Sequence, residues 1–449
     1  MHSRTTGKQS GELCDQFWLE FERIANAAGD GEAHFEGFVF PRADFRGREF
    51  RADCRFGSCV FTGEAFFSRA IFKQGADFSN AVFAEDADFN GALFSQLAHF
   101  TAVSFTGDAL FGGAIFIDEA EFSSAEFKGE AQFKGAIFKK AARFSYADFS
   151  LQARFEDVQF NGTANFSRCT FLDLAEFRRA SFDPQIEGEP SAVFSLAEFS
   201  KPGEIIFDDV DLSRALFHNC DVSEVSFTSS ARWGTRRRNR GLTVYEETIP
   251  YKHDFARRLE RHGQRDHRAI AQVYQQLKKN YDARLDYWTA NECHFGEMEM
   301  KRLTGPTSGK LLGLRRWFQS NLSLVAFYRW FSDYGNSYWK PMAWLLATLF
   351  LFAALLPLPG AGLMREKAKH TETYLSVWRV QDGWTPNLWV EARLFGKSII
   401  TSVDTATFQK AAEYTPAYPW GRVLAIVATL LTSTLFGLFL LAIRRQFKR

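Results

Sequence analysis

The chain of 449 residues carries 54 basic and 53 acidic side chains, 49 phenylalanines, six cysteines and nine histidines. That length holds two to four domains. The scattered cysteines, with no C-x-x-C pair, suggest a reducing compartment, and no histidine falls in a recognisable triad or zinc motif, so no catalytic constellation stands out.

The net charge of +1 is uneven along the chain. Residues 36–228 hold 30 acidic and 18 basic side chains, a net of −12, and residues 229–340 hold 11 and 21, a net of +10. The opening MHSRTTGKQSGELCD is polar and shows no secretory signal. In DQFWLEFERIAN, residues 15–26, Phe17, Trp18, Phe21 and Ile24 sit at helical spacing. Residues 1–35 are therefore expected to supply a short amphipathic helix that caps the open end of a solenoid.

From Phe61 to Phe182, phenylalanine recurs at gaps of five and six in strict alternation, as at Phe78, Phe83, Phe89, Phe94 and Phe100. Five residues turn a helix by about 500°, which scatters the rings over different faces. A plain strand has a side-chain period of two and flips face at every gap of five. A chain that turns a corner about every five residues points each ring inward, and this is a solenoid. Two residues before nearly every Phe stands a small residue, such as Ala76, Ala81, Ala87, Ala92 and Ala98, with Val103, Val158 and Cys169 substituting elsewhere. One large and one small inward residue per side make a self-filling core. Cys169 and Cys220 then read as core residues, not ligands, and no cofactor or metal is needed to explain the ladder.

In IIFDDVDLSRALFHNCDVSEVSF, residues 205–227, the inward positions Phe207, Leu212, Phe217, Val222 and Phe227 fall at a strict period of five. The stretch VDLSR-ALFHN-CDVSE resembles the pentapeptide-repeat family, whose unit is roughly A-(D/N)-L-x-x. The five/six ladder resembles that family's Phe-rich variant, with one residue added on every second side. The resemblance implies a right-handed quadrilateral β-helix over residues 36–230. With about 22 residues a turn, residues 38–228 would make roughly eight or nine coils, about 40 Å tall at ~4.8 Å per coil. Residues 183–193, DPQIEGEPSAV, carry Pro184 and Pro190 and skip one Phe position, which reads as a loop extruded from the solenoid.

Residues 231–312 read as a basic linker and a helical hairpin. RWGTRRRNR, residues 232–240, is expected to be a solvated or membrane-facing hinge. Ile270, Val273, Tyr274, Leu277 and Tyr281 line one helical face, and a second helix is expected from about Asp286 to Arg302. The pair resembles a tetratricopeptide-like hairpin, and its VYQQLKKNY and GEMEMKR segments resemble those that join solenoid to membrane helices in pentapeptide-repeat membrane proteins. Cys293, His294, Glu297 and Glu299 invite a metal-site reading, but a solvated helix face explains them more simply. GPTSGK, residues 305–310, fails as a phosphate loop because its glycines are too close and Leu311 replaces the Mg²⁺-holding hydroxyl, so it reads as a linker.

Residues 313–449 read as a membrane domain. Trp317 to Phe331 alternates aromatic and basic residues, as an interfacial helix would. Transmembrane spans are expected at about 341–359 and 423–443, each flanked by basic residues on its outer side, which puts both termini in the cytoplasm of a bacterial inner membrane. In the second span, Ala425, Thr429, Ser433 and Gly437 form a seam of small and hydroxyl residues at four-residue intervals, suited to close helix contact or to lining a water-filled path. Between the spans, LWVEARLFGKSIITSVDTATF, residues 388–408, is too short to cross and reads as a re-entrant segment or an external helix. Span, re-entrant segment and span outline a two-helix channel, although no T-V-G-Y-G filter occurs. Ser402, Asp404, Thr405, Thr407, Thr429 and Ser433 are the candidate pore-lining residues, because a ring of Asp selects cations.

The fold class expected is mixed, with a quadrilateral β-helix, then a helical hairpin and two transmembrane helices. Two functions fit. One is a non-enzymatic, membrane-anchored scaffold or sensor whose cytoplasmic rod docks a protein. The other is an oligomeric two-transmembrane cation-channel-like protein with the repeat domain as regulatory module. A DNA-mimicking gyrase binder, known in the family, suits the acidic rod but not the membrane helices or the Phe-rich variant. The expected partners are membrane lipid, further copies of the chain and an unidentified cytoplasmic protein, without nucleic acid.

Overall fold

The computed structural model describes residues 7–183, 189–236, 241–249, 266–304, 312–355, 364–366, 374–375, 396, 399–400, 402–404, 414–416 and 419–447. The chain divides into two compact units, Met1–Thr304 and Gly305–Arg449.

The first unit is a four-sided parallel β-solenoid. Successive strands of two to four residues fall on successive sides, and every fourth strand pairs in register with the one a coil below. Among the described residues the four sheets hold nine, eight, nine and seven strands, opening respectively with Glu32–His34, Val39–Phe40, Ala43–Asp44 and Glu49–Phe50. The register is set by like residues: Ala76 pairs with Ala98 and Ala98 with Ala120, while Phe83 pairs with Phe105. The inner half of the expectation is met without exception between Phe61 and Phe182, where every Phe of the ladder is at most 6% exposed. Each ring stacks on its equivalent one coil away: Phe78 on Phe100 at 5.0 Å and 7°, Phe100 on Phe122 at 4.9 Å and 2°. Rings of neighbouring columns meet edge to face, as Phe89 and Phe100 do at 5.5 Å and 87°. Each buried ring contributes roughly 1.5–3 kcal/mol of transfer free energy.

The alternation of gaps has a structural cause: two kinds of corner alternate. At most gaps of five, the carbonyl of the first Phe accepts from the amide three residues on, as Phe78 O does from Ala81 N at 3.0 Å. The third residue of that turn has positive φ, as in a type II turn. These residues recur every eleven positions, including Arg69 at 57°, Asn80 at 58°, Gly91 at 65°, Ala102 at 54° and Gly113 at 63°. At each gap of six the corner is wider and is tied to the next coil. Asp86 Oδ1 accepts from Asp108 N at 2.8 Å, and Asp108 Oδ1 from Glu130 N at 2.8 Å. Gly129 belongs to this second class; a Cβ there would lie 2.3 Å from the carbonyl oxygen of Gly107.

The irregular stretch at 183–193 is an insertion, and no side of the coil is skipped. Ala192 pairs directly with Ala164, 28 residues earlier in place of 22, so six residues are added at one wide corner while the ladder resumes in register. Residues 184–188 lie outside the described residues. From Phe207 onward the period of five predicted for residues 205–227 holds, with Leu212, Phe217, Val222 and Phe227 all buried.

Both ends of the stack are covered. Helix α1, Gly7–Ala28, lays Phe17, Trp18 and Phe21 on the first coil. Phe21 stacks on Phe35 at 4.4 Å, and Glu22 accepts from Arg48 at 2.6 and 2.8 Å. Past the last coil come a hairpin, Gly234–Thr235 with Leu242–Thr243, a one-turn helix α2, Tyr245–Thr248, and two antiparallel helices, α3, His267–Ala283, and α4, Tyr287–Leu303. Asp266 and Asp286 cap α3 and α4 by accepting from Ala269 N at 3.2 Å and Thr289 N at 3.1 Å.

The second unit contains α5, Leu312–Leu322, α6, Leu324–Ser332, α7, Trp339–Leu355, and α8, Pro419–Phe447, with a small antiparallel sheet of Met364–Glu366, Tyr374–Leu375 and Tyr414–Pro416. Among the described residues one helix, Pro419–Arg444, is by itself long and apolar enough to cross a membrane. The segments Trp317–Gly335 and Trp339–Leu355 meet such a test only as a pair, and they are bent by 118°. Of the expected first span, α7 accounts for the part up to Leu355, and residues 356–359 lie outside the described residues.

Candidate functional site

The unit's densest polar chemistry lies where the solenoid ends. Trp233 closes the aromatic stack against Phe227 at 5.3 Å and Phe217 at 5.8 Å, and its indole N–H donates to the Tyr281 hydroxyl at 2.8 Å. The last coil leaves carbonyls without a further coil to receive them. Asn280 Nδ2 on α3 supplies the missing donor, to Val222 O at 2.9 Å and Val225 O at 2.7 Å, and Arg284 Nη2 donates to Val225 O at 2.8 Å. Helix α3 thus stands in for the absent coil, and the repeats end without an exposed sheet edge.

Beside it, Arg236 is not the solvated arginine that its basic run suggested. Its side chain is 15% exposed and holds Glu247 in a two-point pair at 2.6 and 3.2 Å. It also donates to the Tyr274 hydroxyl at 3.1 Å and lies over the Phe295 ring at 5.1 Å. Residues 237–240 of that run fall outside the described residues. Burial and the neighbouring Glu247 carboxylate push the Tyr274 phenol far above its ordinary range, so it serves as a fixed hydrogen-bonding post.

Glu246, next in chain to Glu247, is 1% exposed. Its Oε1 accepts from Phe217 N at 2.6 Å, while Oε2 has no partner. Burial pushes this carboxyl up to about 7, partly offset by the backbone N–H groups of Glu246 and Phe217. The native state therefore holds the proton more tightly than the unfolded chain. Its stability contribution is complete below about pH 4.5 and is lost as pH rises through 7. Glu246→Gln is expected to flatten this part of the profile, matching the parent near pH 4.5 and exceeding it by on the order of 2 kcal/mol at pH 8. Urea unfolding of residues 1–304 across that range checks the expectation; a variant less stable than the parent at pH 8 contradicts it.

The acidic face of α4 also differs from expectation. Glu297 and Glu299 are 5% and 8% exposed, so they are not a solvated face. Glu297 pairs with Lys301 at 2.5 Å and faces His294 at 3.6 Å, and Glu299 pairs with Arg302 at 2.9 Å. Burial raises the Glu297 carboxyl, but His294 and Lys301 outweigh it and hold it down to about 2. Among the described residues no group of His, Cys, Asp and Glu is arranged to hold a metal ion. The cysteines expected in the core are there: Cys169 is fully buried and donates to Phe144 O at 2.8 Å, Cys220 is 1% exposed, and burial pushes both thiols well above their usual range.

The candidate pore residues are not all described. Thr405 and Thr407 lie outside the described residues, as do the linker GPTSGK and most of residues 388–408. Ser402 is 2% exposed and Asp404 is half-buried, both in a short helical stretch. Thr429 and Ser433 are half-buried on α8, and Thr429 Oγ1 donates to Ala425 O at 2.8 Å within its own helix. The fully covered row of α8 is Ala428, Thr432, Leu435 and Ala442, beside the seam predicted at Ala425, Thr429, Ser433 and Gly437. A Cβ at Gly437 would meet nothing within 4 Å, so the close approach suggested for that seam is not made there within this unit.

Sequence reading missed the solenoid-end cap, with Trp233, Arg236, Glu246, Glu247 and Asn280. The one signal for it was the buried-face pattern of α3. Glu246 and Glu247 offer no periodicity that marks them as interior.

Residues 45–93, 56–104, 89–137, 100–148 and 122–170 match the family model described as pentapeptide repeats. No curated protein and no solved structure matches the chain. With the stacked Phe columns and the four parallel sheets on which those matches fall, residues 45–170 of this chain are pentapeptide repeats, folded as a four-sided β-solenoid of the protein-interaction type.

Proposed function

We propose that the protein is a non-enzymatic, membrane-anchored scaffold whose pentapeptide-repeat rod docks a protein partner. The observation that carries the anchoring is the surface of α8. Ile426, Leu430, Phe436 and Leu441 are 60%, 62%, 52% and 57% exposed on a helix without an acidic or basic residue between Val423 and Ile443. At 1.5 Å per residue, 29 residues extend about 43 Å, enough to cross a ~30 Å hydrocarbon layer. A surface this apolar and this continuous calls for lipid or a partner. The rod supports the scaffold half of the reading: its interior is closed by stacked rings, and each outer side presents a row of varied side chains at a fixed coil-to-coil interval. The protein is expected to stay in the membrane fraction through high-salt and carbonate washes, and release by either treatment sinks the anchoring.

A second reading, an oligomeric cation-channel-like assembly with the rod as regulatory module, draws support from Ser402. Its buried hydroxyl oxygen has no hydrogen-bond partner and lies two residues from Asp404. Under this reading Asp404→Asn lowers cation conductance in planar-bilayer recordings at matched protein density. Silence from the parent protein, or equal currents from both, leaves the scaffold alone.

A further inference from the structure

The four outer sides of the solenoid are chemically different. The first side presents Arg55, Asp77, His99, Glu121 and Arg143, and its Arg143 pairs with Glu119 and Glu121. The third presents Asp88, Leu110, Gln132, Arg154 and Glu176. The second begins with the three valines Val39, Val60 and Val82 but continues with Ser104, Glu126 and Asp148. The fourth side alone carries four successive aliphatic residues, Ile71, Leu93, Ile115 and Ile137, paired coil over coil in straight register. All four are half-buried, and Ile117 extends the strip with 44% exposure.

The margins of this strip carry more basic than acidic side chains, with Glu49, paired to Arg51 at 3.2 Å, ahead of Ile71 in the row and Asp118 next to Ile117. Lys73 and Lys139 follow the row at either end; both are exposed and, among the described residues, neither makes an ion pair. Arg69 is exposed on the opposite edge. Lys134 and Lys140 are also on its borders, paired with Glu156 at 3.4 Å and Asp118 at 2.8 Å. A basic-rimmed aliphatic row is out of character on a rod whose net charge is −12.

We propose that this fourth side, Ile71–Leu93–Ile115–Ile137 with Lys73 and Lys139, is the docking surface of the rod, and that it takes an amphipathic helix with an aliphatic stripe and acidic flanks. This rests on the scaffold reading and names the partner's chemistry. The geometry fits. Three steps of ~4.8 Å make the row about 14 Å long, and a helix of about ten residues spans that length. Its i, i+3, i+7 stripe repeats at about 5.4 Å per turn, close enough to the ladder spacing to interdigitate over a few turns. Carboxylates at about i and i+10 of such a helix would meet Lys73 and Lys139 together. A second copy of this chain fits less well. A two-fold axis in the plane of the face sets a basic edge against a basic edge, whether the rods run parallel or antiparallel, and like charges repel. A bilayer fits less well too, because the strip is flat, half-buried and without a protruding aromatic ring.

The test is fluorescence polarisation of full-length protein in neutral-lipid nanodiscs with a labelled, helix-stapled peptide of about 15 residues, bearing a leucine stripe and glutamate flanks. Saturable binding is expected, weakened at least tenfold by Ile115→Glu and also by the charge-reversing pair Lys73→Glu with Lys139→Glu. A peptide with lysine flanks is expected to bind at least tenfold more weakly. The lysine pair has no packing role, so it keeps the test readable if Ile115→Glu unfolds. No binding of the acidic peptide, or binding indifferent to both variants, overturns the proposal. So does Ile115→Glu abolishing self-association by sedimentation or binding to anionic vesicles, which would make the strip a copy or lipid interface. Loss of the membrane anchor in carbonate washes would strike the tether while leaving this binding result standing, so the two failures can be told apart.

Discussion

Phe122→Ala is expected to destabilise the solenoid by about 3–5 kcal/mol, while Lys128→Ala six residues on changes stability by no more than about 0.5 kcal/mol. Phe122 is fully buried. It stacks on Phe100 and Phe144, each at 4.9 Å, and meets Phe111 and Phe133 edge to face at 5.4 and 5.6 Å. No neighbour can fill the space left by the ring, because each is itself clamped between coils. Lys128 stands outside, more than half exposed, in a surface pair with Glu126 at 3.1 Å, an arrangement that contributes little in water. Urea unfolding of residues 1–304 measures both. A solenoid transmits such a loss only to its nearest coils, so hydrogen exchange should show lost protection centred on the coils bearing Phe100 and Phe144. Equal effects at the two positions would mean that inward and outward registers have been exchanged.

The contrast between those two residues marks what the sequence can express. Inward positions repeat, and repetition is visible: the gaps of five and six showed the inward Phe at each corner-to-corner step, and the resemblance to pentapeptide repeats supplied the four sides that set each ring's partner one coil away. The cause of the alternation was not visible. Gly37, Gly47, Gly91, Gly113 and Gly135 advertise the left-handed corner, and the same backbone is adopted at Arg69, Ala102 and Tyr146, whose side chains carry no such signal. There the pairing of coils above and below imposes the turn against local preference. The insertion before Ala192 was legible as an extruded loop from its two prolines and the skipped Phe position, and the pairing of Ala192 with Ala164 bears this out. The cap was legible still less. A terminal structure occurs once, so it has no period, and its polar residues are interior only because the last coil has carbonyls to satisfy. Arg236 and Glu297 look like solvent-exposed charges in any window of sequence; their burial follows from partners that lie eleven and four residues away, Glu247 and Lys301. The pore candidates were read from a four-residue spacing in the second span and from hydroxyl residues around Asp404 between the spans; four of the six, Ser402, Asp404, Thr429 and Ser433, can be located, and they lie on two separate stretches of the second unit.

Gly296→Val is expected to destabilise the first unit by more than about 3 kcal/mol, above the usual overpacking range of 1–3 kcal/mol. A single Cβ at Gly296 would already lie 2.4 to 2.6 Å from three carbons of the Tyr274 ring, so helices α3 and α4 approach there at a distance only glycine permits. Overpacking is mild when the opposing side chain can swing away, and Tyr274 cannot. Its hydroxyl accepts from Val244 N at 3.1 Å and Arg236 Nη2 at 3.1 Å and donates to Glu247. Moving the ring would strand a buried amide and break a largely buried ion pair, each costly away from the surface. The alternative is to part α3 from α4, and α3 also carries Asn280, the donor to the last coil's carbonyls. Either response loosens the packing of Trp233 on Phe227, so the indole emission should shift to the red before the Phe core unfolds. Tyr274→Leu combined with Gly296→Val should recover part of the helix packing but not the Arg236 and Glu247 pairing. A Gly296→Val protein with parental stability and unshifted emission would show that the two helices have room to separate and that the cap does not depend on their contact.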